Sequence, residues 1–336
     1  MFKKSKFDEV FQPFADRLQG NHMARLGIRR TMRVAHFYNR IKFRREGSWR
    51  SRLYRRQLDQ LLAENGPLTR PKIKLSDGFA IDDSMSLPHL PQLLEDAEKI
   101  IDERGGVRST EKGRYRSHFQ DLWMPAEDGQ KYPVFLDFAT CSDVLATVID
   151  YIKTIPVLTN NVPSGIRFVE SNAAFDDQAD RLHDSQLYHI DYYSLPNVYV
   201  LVLLRDTTSE NGPWTFLPRS VTRRVTRKLG YWTKKHGYRL SDDKVYSVAK
   251  REEAIEFTGK RGTVLFIESS GCMHFGSRNC VKPRFQLMYG YSGICRTDFH
   301  ETFAHWANYS VRGEDSRLRK MVLTKNLLPK KNGTSL

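Results

Sequence analysis

The stretch LYHIDYYSLPNVYVLVLLRDTTSENGPWTFLP, residues 187–218, carries the clearest statement of fold class in this chain. Its run at 197–206 is dense in β-branched and aromatic residues. Shorter segments at 187–191 and 214–218 flank it, and the turn Ser209-Glu210-Asn211-Gly212 separates two of them, which is the pattern of short strands joined by tight connections. Working outward, similar segments recur at 165–171, 254–257, 262–268 and 284–291, with a second turn signal at Gly259-Lys260-Arg261-Gly262. Seven or more short strands at this spacing predict an all-β sandwich or barrel.

Helical patterns lie upstream of these strands. In the region 21–64, Val34, Phe37, Tyr38 and Ile41 recur at helix spacing, as do Tyr54, Leu58, Leu61 and Leu62, until Asn65-Gly66-Pro67 stops the pattern. The segment beginning SDGFAIDDS predicts a short strand, a turn, and a helix with Leu94, Ala97 and Ile101 on one face, ended by Gly105-Gly106. Another helix is expected from Ser142, whose hydroxyl suits an N-cap, burying Val144, Leu145, Val148, Ile149 and Ile152.

With 336 residues, 40% hydrophobic and 28% charged, the chain can hold one large domain with appendages. Its longest apolar run, Val198 to Leu204, is far below the roughly 20 residues of a membrane-spanning helix, and MFKKSKFDEV has no signal-peptide core. Integral membrane insertion is not expected. Cys141, Cys272, Cys280 and Cys295 form no CxxC pair, which fits a reducing, cytoplasmic setting better than a disulfide framework or a structural zinc site.

The net charge of +15 is uneven: residues 1–75 carry +13 and 312–336 carry +5, leaving −3 for 76–311. We therefore expect a basic helical segment at 1–74, a β-domain at 75–311 and a basic tail at 312–336. The arginines between Arg29 and Arg56 read first as the solvated face of packed helices. The alternative is contact with an anionic partner, whether a phosphate-bearing substrate, nucleic acid or a membrane surface.

Chemistry concentrates in His189-Ile190-Asp191. Alternate residues of a strand share a face, so one imidazole and one carboxylate converge. His274 follows the run Gly262 to Ile267 and supplies a third group 85 residues beyond His189. Two His and one carboxylate on one face of a metal leave open positions, the arrangement of non-haem Fe(II) oxygenases that bind a co-substrate and O₂. Arg284, ten residues after His274, is placed to hold the far carboxylate of an iron-chelated 2-oxo acid through a two-pronged contact. Tyr188, Asn172 and Trp214 are candidates for the pocket wall. His183, His236, His300 and His305 have no partner at ligand spacing, and Cys272 reads as a small buried residue.

Three blocks, SDGFAIDDSMSL, YHIDYYSLPNVYVLVLLRDTTSENGPWTFLPRS and GTVLFIESSGCMHFGSRNCVKPRFQLMYGY, resemble the phytanoyl-CoA dioxygenase family of Fe(II)/2-oxoglutarate oxygenases. Together they frame roughly residues 75–295. The resemblance implies a mainly β fold, a cupin-like jelly roll or double-stranded β-helix with packing helices. It implies His189, Asp191 and His274 as iron ligands, Arg284 as the 2-oxoglutarate clamp, and a small-molecule or acyl-CoA-type substrate hydroxylated with release of succinate and CO₂. Retention of Asp191 speaks against halogenation, since related halogenases carry a small residue there.

Two details depart from the family pattern. Ser220 of the Pro-x-Ser is followed by Val221 rather than His, and the position two after the distal His is Gly276, with Ser277 one later. Ser277 and Asn172 are accordingly the candidates for further 2-oxoglutarate contacts. The reading from a different class is a non-catalytic protein of the same fold that grips nucleic acid or membrane through its basic helices. An oxygenase acting on nucleic acid is disfavoured because the second arginine its members tend to carry, six residues after the clamp, is Gly290 here.

Overall fold

The computed structural model describes residues 27–103, 119–123, 131–159, 166–173, 181–233, 238–298 and 309–324, with only the backbone of 119–123. The expected helix start at 21–26, the Gly105-Gly106 stop, His236, His300 and His305 lie outside these residues.

Among the described residues, ten strands form two antiparallel sheets: β1 (Phe79–Asp82), β2 (Phe119–Trp123), β3 (Val157–Leu158), β4 (Arg167–Ser171), β5 (Asn197–Leu203), β6 (Thr215–Phe216), β7 (Ile255–Glu256), β8 (Val264–Glu268), β9 (His274–Phe275) and β10 (Arg284–Ser292). The larger sheet runs β1-β8-β5-β10-β4-β2, with β3 also against β10, and the smaller runs β7-β6-β9. The described helices that accompany them are α1 (Ile28–Lys42), α2 (Arg44–Asn65), α3 (Leu90–Glu103), α4 (Val134–Thr140), α5 (Ser142–Ile152), α6 (Arg219–Lys228), α7 (Asp242–Tyr246) and α8 (Arg317–Leu323).

Every residue of β5 and β8 is buried because the larger sheet is covered on both faces. Val198, Val200, Val202, Val264, Phe266, Leu287 and Tyr289 point to a core shared with α2 to α5 and α8. Tyr199, Leu201, Leu203, Leu265, Ile267 and Met288 point the other way, against Phe216 and Phe257 beside the smaller sheet. This is the jelly-roll arrangement with packing helices that the family resemblance implies. Double-sided burial also explains why these strands read as continuous apolar runs rather than alternating ones.

The motif blocks meet in space. Asp77 accepts from Ser220 Oγ (2.5 Å) and Ser220 N (2.8 Å) at the start of α6. Next to it, Gly78 has φ +93°, and a Cβ there would lie 2.8 Å from Cys272 Sγ and 3.1 Å from Arg219 Cβ. Only glycine combines that backbone with so close an approach.

Several sequence expectations are corrected. Residues 187–191 form no named strand; Tyr188 and His189 make single bridges to Leu240 and His274. Ser142 is the first residue of α5, not its cap, and its hydroxyl donates to Leu62 O at 3.2 Å. Helix α4, VFLDFAT, has almost no polar face to mark it and lies nearly wholly inside the core. The helical region breaks at Phe43, and Val34, Phe37 and Ile41 face outward while Ile28, Met32, Ala35 and Tyr38 are buried. The inner face of α1 is instead anchored by polar groups: Asn39 Nδ2 donates to Arg296 O (3.0 Å) and Asp298 O (2.8 Å), and His36 Nδ1 to Cys295 O (3.0 Å).

The basic ends are part of this architecture. Leu53, Leu61 and Leu62 of α2 and Leu318, Met321, Val322 and Leu323 of α8 join the main core. Arg50, read as solvated, is completely buried. It donates to Glu46 Oε1 (3.0 and 2.9 Å), Pro156 O (3.1 Å), Met321 O (2.8 Å) and Thr324 O (3.0 Å), joining α2 to α8. Replacing Arg50 by Met strands the Glu46 carboxylate and three carbonyls, and should lower unfolding free energy by about 3–5 kcal/mol, read by urea denaturation.

Candidate metal centre

A pair of backbone hydrogen bonds closes the 85-residue gap between the two histidines. His189 N donates to His274 O at 3.0 Å and His274 N to His189 O at 2.9 Å, an antiparallel bridge between them. Residues directly opposite in such a pair project side chains to the same side, and the imidazole centroids are 4.5 Å apart. Asp191 N is held by Ser269 O at 3.1 Å. The ligand-type atoms of His189, Asp191 and His274 all lie within 4.8 Å of one another, and all three residues are buried.

Hydrogen bonding selects the tautomer that leaves both histidines available. His189 Nδ1 lies 2.9 Å from Leu187 O and His274 Nδ1 2.8 Å from Cys272 O. A carbonyl accepts only, so each Nδ1 bears the proton and each Nε2 keeps its lone pair for the cavity. His274 Nε2 is 3.7 Å from Asp191 Oδ2. Burial pushes the His274 pKa down, outweighing the opposing pull of Asp191, so the imidazole is neutral near pH 7. Tyr199, from β5, has its phenol pKa raised by burial first and then by the charge of the neighbouring Asp191.

On the same face of the larger sheet, Arg284 is 2% exposed. Its NH1 donates to Gly212 O (2.6 Å), and its NH2 to Ser171 Oγ (3.0 Å) and Ser277 Oγ (3.1 Å), while Nε has no partner among the described residues. Burial lowers its pKa, and among the described residues no carboxylate opposes that effect. The turn at Asn211-Gly212 is built to deliver that carbonyl. Asn211 accepts from Thr208 N (2.8 Å) and donates to Pro283 O (2.8 Å), and Gly212, at φ +57°, would place a Cβ 2.3 Å from Cys280 Sγ.

His189, Asp191, Tyr199, His274, Ser277 and Arg284 line one pocket, together with Arg167, Ser185, Tyr193, Trp214, Tyr238, Arg239 and Gln286. Trp214 lies over His274, with centroids 4.2 Å apart and planes at 30°. A Cβ on Gly276 would stand 3.0 Å from Trp214 Cδ1, so the absent side chain at 276 makes room for the indole. Ser277 takes the place near Arg284.

Of the sequence candidates, His189, Asp191, His274, Arg284, Ser277 and Trp214 are brought together. Tyr188 is not among the lining residues; it packs edge-on against Phe275 at 4.7 Å and bonds Tyr246 Oη at 2.6 Å. Asn172 is half-buried and also outside the lining, and its neighbour Ser171 is the residue that meets Arg284. His183 is half-buried and outside the lining, and Cys272 is buried with its thiol pKa pushed up by burial. Sequence reasoning missed Ser171, Tyr199, Arg167 and Tyr238. Ser171 is recognisable only once the register sets it opposite Arg284.

No protein-family model and no curated protein matches the chain. Among solved structures it is similar to HygX from Streptomyces hygroscopicus with nickel and 2-oxoglutarate bound, at 16% identity and TM-score 0.41, covering 64% of this chain and 82% of that one. It is similar to EctD from S. alaskensis with 2-oxoglutarate and 5-hydroxyectoine, at 14% and 0.40, covering 65% and 72%. AviO1 from Streptomyces viridochromogenes Tue57 matches at 16% and 0.40, covering 64% and 90%.

Changing Tyr199 to Phe removes the hydroxyl beside Asp191 and keeps the ring. Affinity for Mn(II) or Fe(II), measured by calorimetry, should fall by roughly 10- to 100-fold with the melting temperature nearly unchanged.

Proposed function

We propose that this chain is a non-haem Fe(II)/2-oxoglutarate-dependent oxygenase that hydroxylates a small-molecule substrate, releasing succinate and CO₂. The observation that carries this reading is Arg284: a buried guanidinium with an unpartnered Nε, lining the pocket that His189, Asp191 and His274 line. An uncompensated cation in that position is costly unless an anion arrives. A dicarboxylate that reaches from metal to guanidinium supplies one.

The residues present fit the metal. Two neutral imidazoles and one carboxylate on a single face are the donor set of non-haem Fe(II) sites, and bound iron supplies the O₂-dependent oxidation that no side chain here can perform. Arg284, with Ser171 and Ser277 beside it, holds the distal carboxylate of 2-oxoglutarate. Trp214 and the bare Gly276 wall one side of the pocket. Tyr199 stands beside Asp191 on the pocket wall. Tyr193, half-buried Tyr238, Arg167 and Arg239 remain to receive the substrate.

The narrower form of the reading places the chain with the phytanoyl-CoA dioxygenase-like enzymes, acting on an acyl or CoA-type molecule in the cytoplasm. Its support is the resemblance of the three blocks and their convergence around Asp77, Gly78 and Cys272. Hydroxylation is favoured over halogenation because Asp191 occupies the carboxylate position.

Anaerobic addition of Fe(II) and 2-oxoglutarate to the protein should produce a weak visible charge-transfer band. Arg284→Gln should raise the 2-oxoglutarate concentration needed for it on the order of 100-fold. Folded protein that gives no band under these conditions would refute the assignment. Succinate release surveyed across acyl-CoA, amino-acid and natural-product pools then identifies the substrate.

A further inference from the structure

We propose that the outward face of α1 is a docking surface for anionic phospholipid membranes. On this face Phe37 is 68% exposed, Ile41 52% and Val34 37%. They stand three, four and seven residues apart, so they form one apolar seam along the helix. Arg30, Arg33 and Arg40, all exposed, share that face, Arg29 is exposed beside it, and no Asp or Glu occurs between Gly27 and Arg45. A lone exposed apolar side chain is ordinary. Three on one seam, interleaved with arginines alone, have the composition of a helix that lies in a membrane interface.

The face cannot turn inward to hide. Ala35 and Tyr38 are buried on the opposite side, and Asn39 and His36 fasten that side to the backbone of Cys295, Arg296 and Asp298. The apolar seam is thus held outward by the same bonds that hold the helix down. Charge complementarity names the occupant. Acidic headgroups satisfy the arginines while acyl chains take Phe37, Ile41 and Val34, and both demands are met by one surface. Nucleic acid would use the arginines and leave the seam wet. A second copy meeting this face symmetrically would set arginine against arginine.

The test is co-sedimentation of the full chain with phosphatidylcholine vesicles, with and without phosphatidylserine. Binding is expected only with phosphatidylserine and should weaken as salt rises. Arg30→Gln/Arg33→Gln/Arg40→Gln should lower partitioning on the order of 100-fold. Phe37→Ala/Ile41→Ala should lower it at least about tenfold. Both variants alter exposed residues and should keep the wild-type melting curve and 2-oxoglutarate band. Absence of binding to phosphatidylserine vesicles overturns the proposal. So does binding that ignores the Phe37/Ile41 change while RNA binding follows the arginines, which would mark a nucleic-acid surface. A dimer in sedimentation velocity that dissociates in the Phe37/Ile41 variant would assign the face to self-association and overturn it equally.

Discussion

The bridge between His189 and His274 is the constraint on which the site depends. Two backbone hydrogen bonds place the imidazoles opposite each other, and everything else is arranged against that pair. Asp191 follows at the next same-side position, Trp214 covers one ring, and the carbonyls of Leu187 and Cys272 set both tautomers. Because these contacts come largely from backbone, the geometry persists without help from flexible side chains. Preorganisation of this kind means that a ligand need not supply the free energy of assembling its own site.

Around this bridge the sheets divide the labour. The larger one is buried on both faces, so its side chains are locked between the helical core and the smaller sheet. That rigidity makes it possible to keep Arg284 out of water with carbonyl and hydroxyl partners but, among the described residues, no counter-ion. A mobile strand would let the guanidinium turn toward solvent. The turn at Gly212 and the serines on either side of Arg284 narrow its orientation further.

Much of this was readable in advance, for identifiable reasons. Strands such as 197–203 and 264–268 announced themselves through β-branched density, and spacing set His189 beside Asp191. What failed was information that exists only in three dimensions. Helix α4 has no polar face and so no helical period to detect. The apolar seam of α1 read as its buried stripe because periodicity reports amphipathicity, not which side meets the protein; polar anchors at Asn39 and His36 decided that. Arg50 looked like one arginine among many until the ends of α2 and α8 enclosed it. Ser171 was displaced in the reading by its neighbour Asn172 because a one-residue shift changes the face, and only the pairing with β10 fixes which residue looks inward.

The unpaired Nε of Arg284 carries a thermodynamic consequence. A folded chain that buries an uncompensated cation gives up part of its stability, and a ligand able to neutralise that cation only in the folded state returns it through mass action. At a hundredfold excess over its dissociation constant such a ligand adds about 2.7 kcal/mol. On the proposed reading, 2-oxoglutarate is then both reactant and stabiliser. The lifetime of the protein becomes coupled to the supply of a central carbon metabolite, with no separate regulatory site.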